Sequence, residues 1–269
     1  MFEFLTDRPE VGLRWSACAA DAASDSLLAE RGADRSLSTA SVGKILLLIE
    51  LARRFAAGEL ERARPLERGK EAVGDSGLWQ AMDASSLSAA DAARLVGAVS
   101  DNVATNVLLD LVGLAAVTRA AADLGLTRTA LLDRVRDDRL PEHPPALSRG
   151  SAAELARLAA RLHRRDVFGT EASSEVVAWL SLGTDLSMVA SAFGLDPLAH
   201  READRGIRLW NKTGTDAGVR ADVGVVTSPA GAIAYAVLAE WDADAPATVR
   251  DDVLTAMRRT GDRIRAGGE

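Results

Sequence analysis

The 269-residue chain has a single cysteine, and no apolar stretch long enough for a membrane span. Cys18 alone excludes a disulfide within the chain, and its apolar context "WSACAA" is more typical of a small core residue than of a nucleophile. The longest aliphatic run, "ILLLIEL", is too short to cross a bilayer. The N-terminus has neither a basic nor an apolar leader segment. We therefore expect no membrane partner and a cytoplasmic location, or a secreted one if a leader has been removed.

Positive charge is scarce, and lysine is scarcer still. The chain has 32 Lys plus Arg against 39 Asp plus Glu, which gives a formal net charge of −7. Because no long basic cluster is present, nucleic acid is not an expected partner. Lysine occurs only at positions 44, 70 and 212, and every other basic residue is arginine. Arginine stays protonated, whereas a partly buried lysine can lose its proton and act as a base.

The periodicity of apolar residues predicts strands at both ends of the chain and helices between them. Residues 11–20 and 26–34 are typical of a hairpin, and residues 207–215, 221–228 and 232–241 are typical of three further strands. The region from 38 to about 200 repeats apolar residues at helical spacing, and an amphipathic helix closes the chain.

This order of elements indicates an α+β fold. Isolated hairpins are marginally stable, so the N-terminal hairpin should join the C-terminal strands in one antiparallel sheet flanked by helices. We expect a single monomeric domain over 1–269, with an α/β subdomain from 1–36 plus 205–269 and an inserted all-helical subdomain over 37–204. A cleft should form between them. Residues 133–150 carry Pro and charge without periodicity, which predicts a long loop.

Ser41 and Lys44 are three residues apart at the start of a predicted helix, which places both on one face. A neutral amine there can deprotonate the hydroxyl, and the helix N-terminus stabilises the developing negative charge. By itself the Ser-x-x-Lys spacing is weak evidence, since a surface lysine with a snorkelling side chain gives the same pattern.

Two further motifs strengthen this interpretation. Ser100, Asp101 and Asn102 stand at a helix junction, and "KTG" over 212–214 stands at the end of a predicted strand. Each has a structural alternative, a helix N-cap or turn for the first and a strand terminus for the second. Together with Ser-x-x-Lys, in this chain order, they are the signature of class A β-lactamases and penicillin-binding proteins.

On these motifs the sequence resembles the class A serine β-lactamases over essentially its whole length. The segments "AVSDNVATNVLLDLVG" and "WNKTGT" are similar to family segments, and "LLDRV" resembles the start of the family's omega loop. The resemblance implies an antiparallel sheet with a helical subdomain beside it, which agrees with the periodicity.

The resemblance also implies catalytic roles for four residues. Ser41 would be the nucleophile that attacks the lactam carbonyl, and Lys44 would be its proton acceptor or relay. Ser100 would pass a proton to the departing nitrogen. Lys212 would tune Ser100.

Substrate-binding roles follow from the same resemblance. Asn102 would bind the substrate's side-chain amide, and Lys212 with Thr213 would hold its carboxylate. Arg220, at the start of the next strand, is a candidate second carboxylate anchor, or else an exposed strand arginine.

Backbone groups complete the implied binding site. Gly214 would let the strand edge approach the ligand without a Cβ atom. The N–H groups of Ser41 and Thr215 would form the oxyanion hole.

The predicted loop departs from the family pattern. The family carries a Glu two residues after the Arg of "LLDR" and an Asn four residues after that Glu, and the two hold the water that hydrolyses the acyl-enzyme. Arg136 and Leu140 occupy these positions here. Asp137 or Asp138 would supply a carboxylate if the loop were rearranged, and Glu142 is a further candidate. Without a placed base, deacylation should be slow although acylation through a lysine survives.

Metal and cofactor chemistry is not expected. His143, His163 and His200 are not at ligand spacing, so structural roles are favoured. Trp79 is interpreted as a packing aromatic, with a place at the cleft rim as the alternative.

These observations predict a serine hydrolase that opens a β-lactam, or a related small acyl substrate, through an acyl-enzyme on Ser41. An esterase or a D-amino-acid peptidase-like hydrolase is the first alternative, because of the altered loop and the missing export signal. A noncatalytic module that binds or senses a β-lactam is the second.

Overall fold

A computed structural model describes residues 1–69, 73–74 and 76–267 of the chain. In chain order, the strands are β1 (Arg14–Asp21), β2 (Leu27–Arg31), β3 (Ser36–Ser38), β4 (Pro65–Glu67), β5 (Ser86–Ser88), β6 (Ala130–Leu131), β7 (Ser148–Ser151), β8 (Arg208–Asp216), β9 (Val219–Ser228) and β10 (Gly231–Glu240). The α-helices are α1 (Lys44–Ala56), α2 (Ala89–Val99), α3 (Asn102–Val112), α4 (Leu114–Asp123), α5 (Ala152–His163), α6 (Thr170–Leu180) and α7 (Ala247–Gly267). Short 3-10 helices cover Pro9–Val11, Ala40–Gly43, Trp79–Ala81 and Val189–Phe193.

The main sheet joins the two ends of the chain. Its five strands run in the order β2-β1-β10-β9-β8, and β1 pairs antiparallel with β10 from Arg14↔Glu240 to Asp21↔Ile233. The α+β fold and the union of the N-terminal hairpin with the C-terminal strands are therefore confirmed. Most of β1 is buried because it lies beside β10 in the sheet and packs against α5 and a second apolar core on the opposite face, which an isolated hairpin could not achieve.

Both faces of this sheet are covered, which explains why its inner strands are apolar nearly throughout. Along β10, Ala236 and Leu238 face the core that contains α5, whereas Tyr235 and Val237 face the core beneath α7. Successive side chains of a strand point to opposite faces, so a strand between two layers of helix needs apolar residues at every position.

The middle region is mostly helical, as predicted, but it also contains the short strands β3 to β7. β3, β7 and β6 form a three-stranded sheet, and β4 pairs with β5. β7 lies inside the predicted loop over 133–150, so that loop ends earlier than expected. Segments of two to four residues are too short to show the alternation that identifies a strand in sequence.

Helix α1 begins later than its sequence pattern indicates. The 3-10 turn Ala40–Gly43 precedes it, and α1 starts at Lys44. Nearly every α1 residue from Lys44 to Ala52 is buried, because α2, α3, α4 and α6 surround the helix. Ser41 and Lys44 thus flank a junction between two helix types and do not share one regular α-helix.

Within the part of the chain that the structure describes, no single helix has both the length and the apolar composition to cross a bilayer. Helices α3 and α4 meet that criterion only as a pair, and they are bent by 82° relative to each other.

Gly261 sets how closely α7 approaches the 3-10 turn Val189–Phe193. A Cβ atom at Gly261 would lie 2.2 Å from the carbonyl oxygen of Val189, a backbone atom that cannot move independently. We predict that Gly261→Ala lowers the free energy of unfolding by about 1–2 kcal/mol, because overpacking outweighs the gain in helix propensity. Urea unfolding would measure the change.

Gly267→Ala is the matched control, since a Cβ atom at Gly267, in the same helix, meets no atom within 4 Å. This variant should stay within about 0.5 kcal/mol of the wild type. Equal stabilities for the two variants would contradict the close packing at Gly261.

Candidate active site

Ser41 lies on a tightly fixed turn. The preceding residue, Ala40, has a φ of 45°, an uncommon conformation for a residue with a Cβ atom. The buried hydroxyl of Ser148 donates to the carbonyl oxygen of Ala40 at 2.6 Å and lies 2.7 Å from Thr39 Oγ1. These contacts hold the turn from the side of β7, so the position of Ser41 does not depend on α1 alone.

Gly214 brings β8 against the backbone of this turn. A Cβ atom at Gly214 would lie 2.1 Å from the carbonyl oxygen of Thr39 and 3.2 Å from the amide nitrogen of Ser41. The sequence-based expectation was that glycine here makes room for a ligand. The structure shows a different requirement, because glycine lets the strand contact the backbone that carries Ser41.

The Ser100 hydroxyl lies between two lysines that are far apart in sequence. Its Oγ is 3.2 Å from Lys44 Nζ and 3.0 Å from Lys212 Nζ. Ser100 follows α2 in the left-handed conformation, with a φ of 57°. A non-glycine residue in this region is uncommon and such strain concentrates at functional sites. The two predicted amines and the predicted hydroxyl therefore converge at one place.

Lys44 is fully buried, with 0% of its surface exposed. Burial, followed by the nearby charge of Lys212, lowers the pKa of Lys44 well below its ordinary value, with Asp101 opposing the shift. Its Nζ donates to the carbonyl oxygen of Ser100 and to Asn102 Oδ1, both at 2.7 Å. A neutral amine has two N–H groups for these two acceptors and keeps one lone pair, so the environment suits a base.

Lys212 is also buried, with 3% of its surface exposed. Burial lowers its pKa to about 8, against the attraction of Asp185 and Asp222. Besides contacting Ser100, its Nζ donates to the carbonyl oxygen of Thr213 at 2.8 Å. Lys212 is therefore mainly a cation at neutral pH, whereas Lys44 is the more easily neutralised of the two.

Asn102 uses both ends of its amide within the protein. Its Oδ1 accepts from Lys44, and its Nδ2 donates to the carbonyl oxygen of Gly74 at 2.7 Å. The backbone N–H of Asn102 donates to the carbonyl oxygen of Ser76 at 2.9 Å. The predicted contact with a substrate amide would have to share or replace the bond to Gly74.

Asp101, which the motif places between two site residues, fixes the loop above them. Its buried carboxylate accepts from the backbone N–H groups of Leu78 at 2.7 Å, Trp79 at 2.9 Å and Ala104 at 2.8 Å. Trp79 is fully buried and donates from Nε1 to the carbonyl oxygen of Ala84. Trp79 is thus a packing aromatic, as favoured from the sequence.

A cleft of about 130 Å³ is lined by five of the predicted residues, namely Ser41, Ser100, Lys212, Thr213 and Thr215. The described residues that line it are Ser41, Ser76, Gly97, Ala98, Val99, Ser100, Gly183, Thr184, Asp185, Asn211, Lys212, Thr213 and Thr215. Asp185 is the one carboxylate among these described lining residues, and no sequence motif pointed to it.

The side chain of Arg220 already has partners within the protein. It pairs with Thr215 across β8 and β9, and its Nη1 donates to the carbonyl oxygens of Asp216 at 3.0 Å and Val219 at 2.7 Å. Its guanidinium also lies over the ring of Trp241, 5.9 Å from the centroid. Arg220 is not among the described residues that line the cleft. A role as second carboxylate anchor would require the side chain to leave these partners.

The charged side chains of the loop after β6 bond to one another and to Gly74. Arg136, at the family's Glu position, donates from Nε to Asp133 Oδ2 at 2.8 Å, and Arg139 donates to the same oxygen at 2.8 Å. The Asp137 carboxylate accepts from the N–H of Gly74 at 2.9 and 3.1 Å.

None of the three predicted carboxylates lies among the described lining residues; these are Asp137, Asp138 and Glu142. Asp137 and Asp138 are both exposed. The loop as folded therefore supplies no carboxylate to the described wall of the cleft.

His143 and His200 contact backbone groups that are close to them in sequence. His143 Nδ1 accepts from the N–H of Leu140 at 3.0 Å, and His200 Nδ1 lies 3.0 Å from the carbonyl oxygen of Asp196. Among residues 1–69, 73–74 and 76–267, no group of three or more His, Cys, Asp or Glu is arranged to hold a metal ion.

A buried polar network behind the cleft was missed from the sequence. Asn211 Nδ2 donates to Asp222 Oδ1 at 2.9 Å, and the Tyr235 hydroxyl donates to the same oxygen at 3.3 Å. Burial raises the pKa of Asp222 to about 7. Asp222 and Tyr235, polar residues inside the otherwise apolar strands β9 and β10, were the available sequence signal for this network. Their partners lie on different strands, so the sequence did not show that they meet.

The comparisons with known proteins concern the family and the fold. The model of the family described as the Beta-lactamase enzyme family matches residues 8–265. A β-lactamase from Sphaerobacter thermophilus is 26% identical, with a TM-score of 0.78, over 93% of this chain and 90% of that chain. A class A β-lactamase from Mycobacterium abscessus is 19% identical, with a TM-score of 0.78, over 97% of this chain and 96% of that chain.

A variant of PBP-A, solved as an acyl-enzyme complex with penicillin G, is 18% identical. Its TM-score is 0.77, over 95% of this chain and 90% of that chain. The structures below 25% identity show the shared fold. No curated protein matches the chain. Because the family model covers nearly the whole sequence, the chain belongs to the β-lactamase enzyme family.

Proposed function

We propose that this protein opens a β-lactam, or a related small acyl compound, by forming an ester on Ser41. The observation that carries the proposal is the Ser100 hydroxyl, held 3.2 Å from Lys44 and 3.0 Å from Lys212 in the cleft that Ser41 lines. Two buried amines on one hydroxyl can serve a proton relay, and they would be a costly way to build a merely structural contact.

In the proposed acylation, neutral Lys44 takes the hydroxyl proton of Ser41 while Oγ attacks the substrate carbonyl carbon. The backbone N–H groups of Ser41 and Thr215 stabilise the resulting oxyanion. Ser100 gives its proton to the leaving nitrogen and regains one from Lys44. The carbon–nitrogen bond breaks, the ester bond to Ser41 forms, and the proton of Ser41 ends on the nitrogen.

The proposal also covers how fast the ester on Ser41 is hydrolysed. Hydrolysis needs a base that activates a water, and Arg136 stands where the family has its Glu, paired with Asp133. Asp137 is bonded to Gly74 instead of lining the cleft. These positions support slow deacylation, which would leave a long-lived acyl-enzyme. The likeness to PBP-A, of which a variant was solved as a penicillin G acyl-enzyme, is compatible with that outcome.

Substitution of the nucleophile and its base tests the acylation step. Ser41→Ala should abolish the covalent adduct with penicillin G. Lys44→Arg should slow adduct formation by about 100-fold or more, because arginine stays protonated and cannot accept a proton. Intact-protein mass spectrometry measures both, and circular dichroism confirms that each variant is folded. A Lys44→Arg variant that acylates at the wild-type rate would contradict the base role.

The pH dependence of acylation should report Lys212. Its pKa is about 8, so its charge is present below that pH and is lost as the pH rises through it. The rate with penicillin G should therefore fall on the alkaline side. Lys212→Arg should remove this fall, because arginine remains protonated. If the fall in rate at alkaline pH persists in Lys212→Arg, it reports the titration of another group.

The deacylation candidates in the loop can be separated by burst kinetics. Asp137→Asn and Asp138→Asn should each leave the steady-state hydrolysis rate within about twofold, since neither carboxylate lines the cleft. A general base would instead lower that rate by about 100-fold or more on substitution. A fall of that size, with the acyl form accumulating, would identify the base and overturn the proposed slow deacylation.

A further inference from the structure

One wall of the cleft carries a carboxylate that the acyl-transfer steps do not use. Asp185 lies in the segment after α6, and its Oδ1 accepts from the N–H of Ser187 at 3.1 Å and from the Ser187 hydroxyl at 2.6 Å. The backbone of this segment is also fixed, because Asn211 Nδ2 donates to the carbonyl oxygen of Asp185 at 3.3 Å. The carboxylate is therefore held in place by the wall itself.

Asp185 shares the cleft with the two side chains expected to receive a substrate carboxylate. Partial burial raises its pKa, but the hydrogen bonds from Ser187, the nearby Thr213 hydroxyl and the charge of Lys212 outweigh burial and hold the pKa below its ordinary value. The group is thus an anion at neutral pH. It lines the same cleft as Lys212 and Thr213.

This arrangement opposes a second carboxylate at the same place. The charge of Lys212 is already balanced by an acidic neighbour, and a ligand carboxylate would approach a like charge. A neutral or cationic group does not meet this repulsion. Repulsive elements of this kind set specificity as effectively as attractive contacts do.

We infer that Asp185 is a specificity-determining residue that selects acyl compounds with a neutral or cationic group beside Lys212 and Thr213, and disfavours those with a carboxylate there. The inference rests on the proposed function, since it concerns which acyl compounds reach Ser41.

A matched pair of probes tests it: penicillin G and its methyl ester, which differ in the charge of one group. The measured quantity is the ratio of their second-order acylation rates at pH 7, followed by intact-protein mass spectrometry. Asp185→Asn should raise the ratio of acid to ester at least tenfold, mainly through faster acylation by the acid. Asparagine keeps Oδ1 for Ser187, so the turn should persist. Added salt should raise the same ratio in the wild type by screening the repulsion.

Asp216→Asn is the control, because it removes one negative charge at the end of β8, from an exposed residue that is not among the described lining residues. Its ratio should stay within twofold of the wild type. If both probes form adducts but the ratio is unchanged in Asp185→Asn, the inference fails and the proposed function stands. The same holds if Asp216→Asn raises the ratio as much as Asp185→Asn does. No adduct from either probe with folded wild-type protein would overturn the proposed function, and the inference with it.

Discussion

The hydroxyl of Ser100, shared by Lys44 and Lys212, is the contact on which the site depends. Two buried ammonium groups so near one oxygen repel each other, and burial penalises both charges. The repulsion is relieved when one amine is neutral, and Lys44 is the one with carbonyl acceptors for both of its remaining protons. A base and a cation thus arise from the same residue type, because their surroundings differ.

Rigid elements on three sides hold this contact. Lys44 opens the buried helix α1, Lys212 lies on the edge strand β8, and Ser100 follows α2 in a strained conformation. Asp101 anchors the loop above by accepting three backbone N–H groups. Such strain persists only where the surrounding structure over-determines the backbone. Gly214 adds a fourth constraint by packing β8 against the turn that carries Ser41.

The structure supports the proposed acylation step more fully than it supports a rapid deacylation step. The proposed acylation groups are assembled by the core of the protein, whereas two carboxylates of the loop after β6 are bonded elsewhere. Asp133 is paired with two arginines of the same loop, and Asp137 accepts from the backbone N–H of Gly74. The opposite wall supplies Asp185 instead. In the proposed reaction, this charge pattern would favour acyl transfer to Ser41 over rapid release. It would also select a different substrate charge from the one that Lys212 and Thr213 alone suggest.

The sequence by itself determined the α+β class and the union of the terminal strands, and it put forward Ser41, Lys44, Ser100 and Lys212 as candidates, because periodicity and short motifs are local properties. Only the tertiary structure decided what Gly214 packs against, where Asp137 and Arg220 point, and that Ser148 and Asp185 belong to the site. Those facts depend on contacts between residues far apart in the chain. No local pattern encodes such contacts, since a side chain's partners are fixed only when the strands and helices pack together.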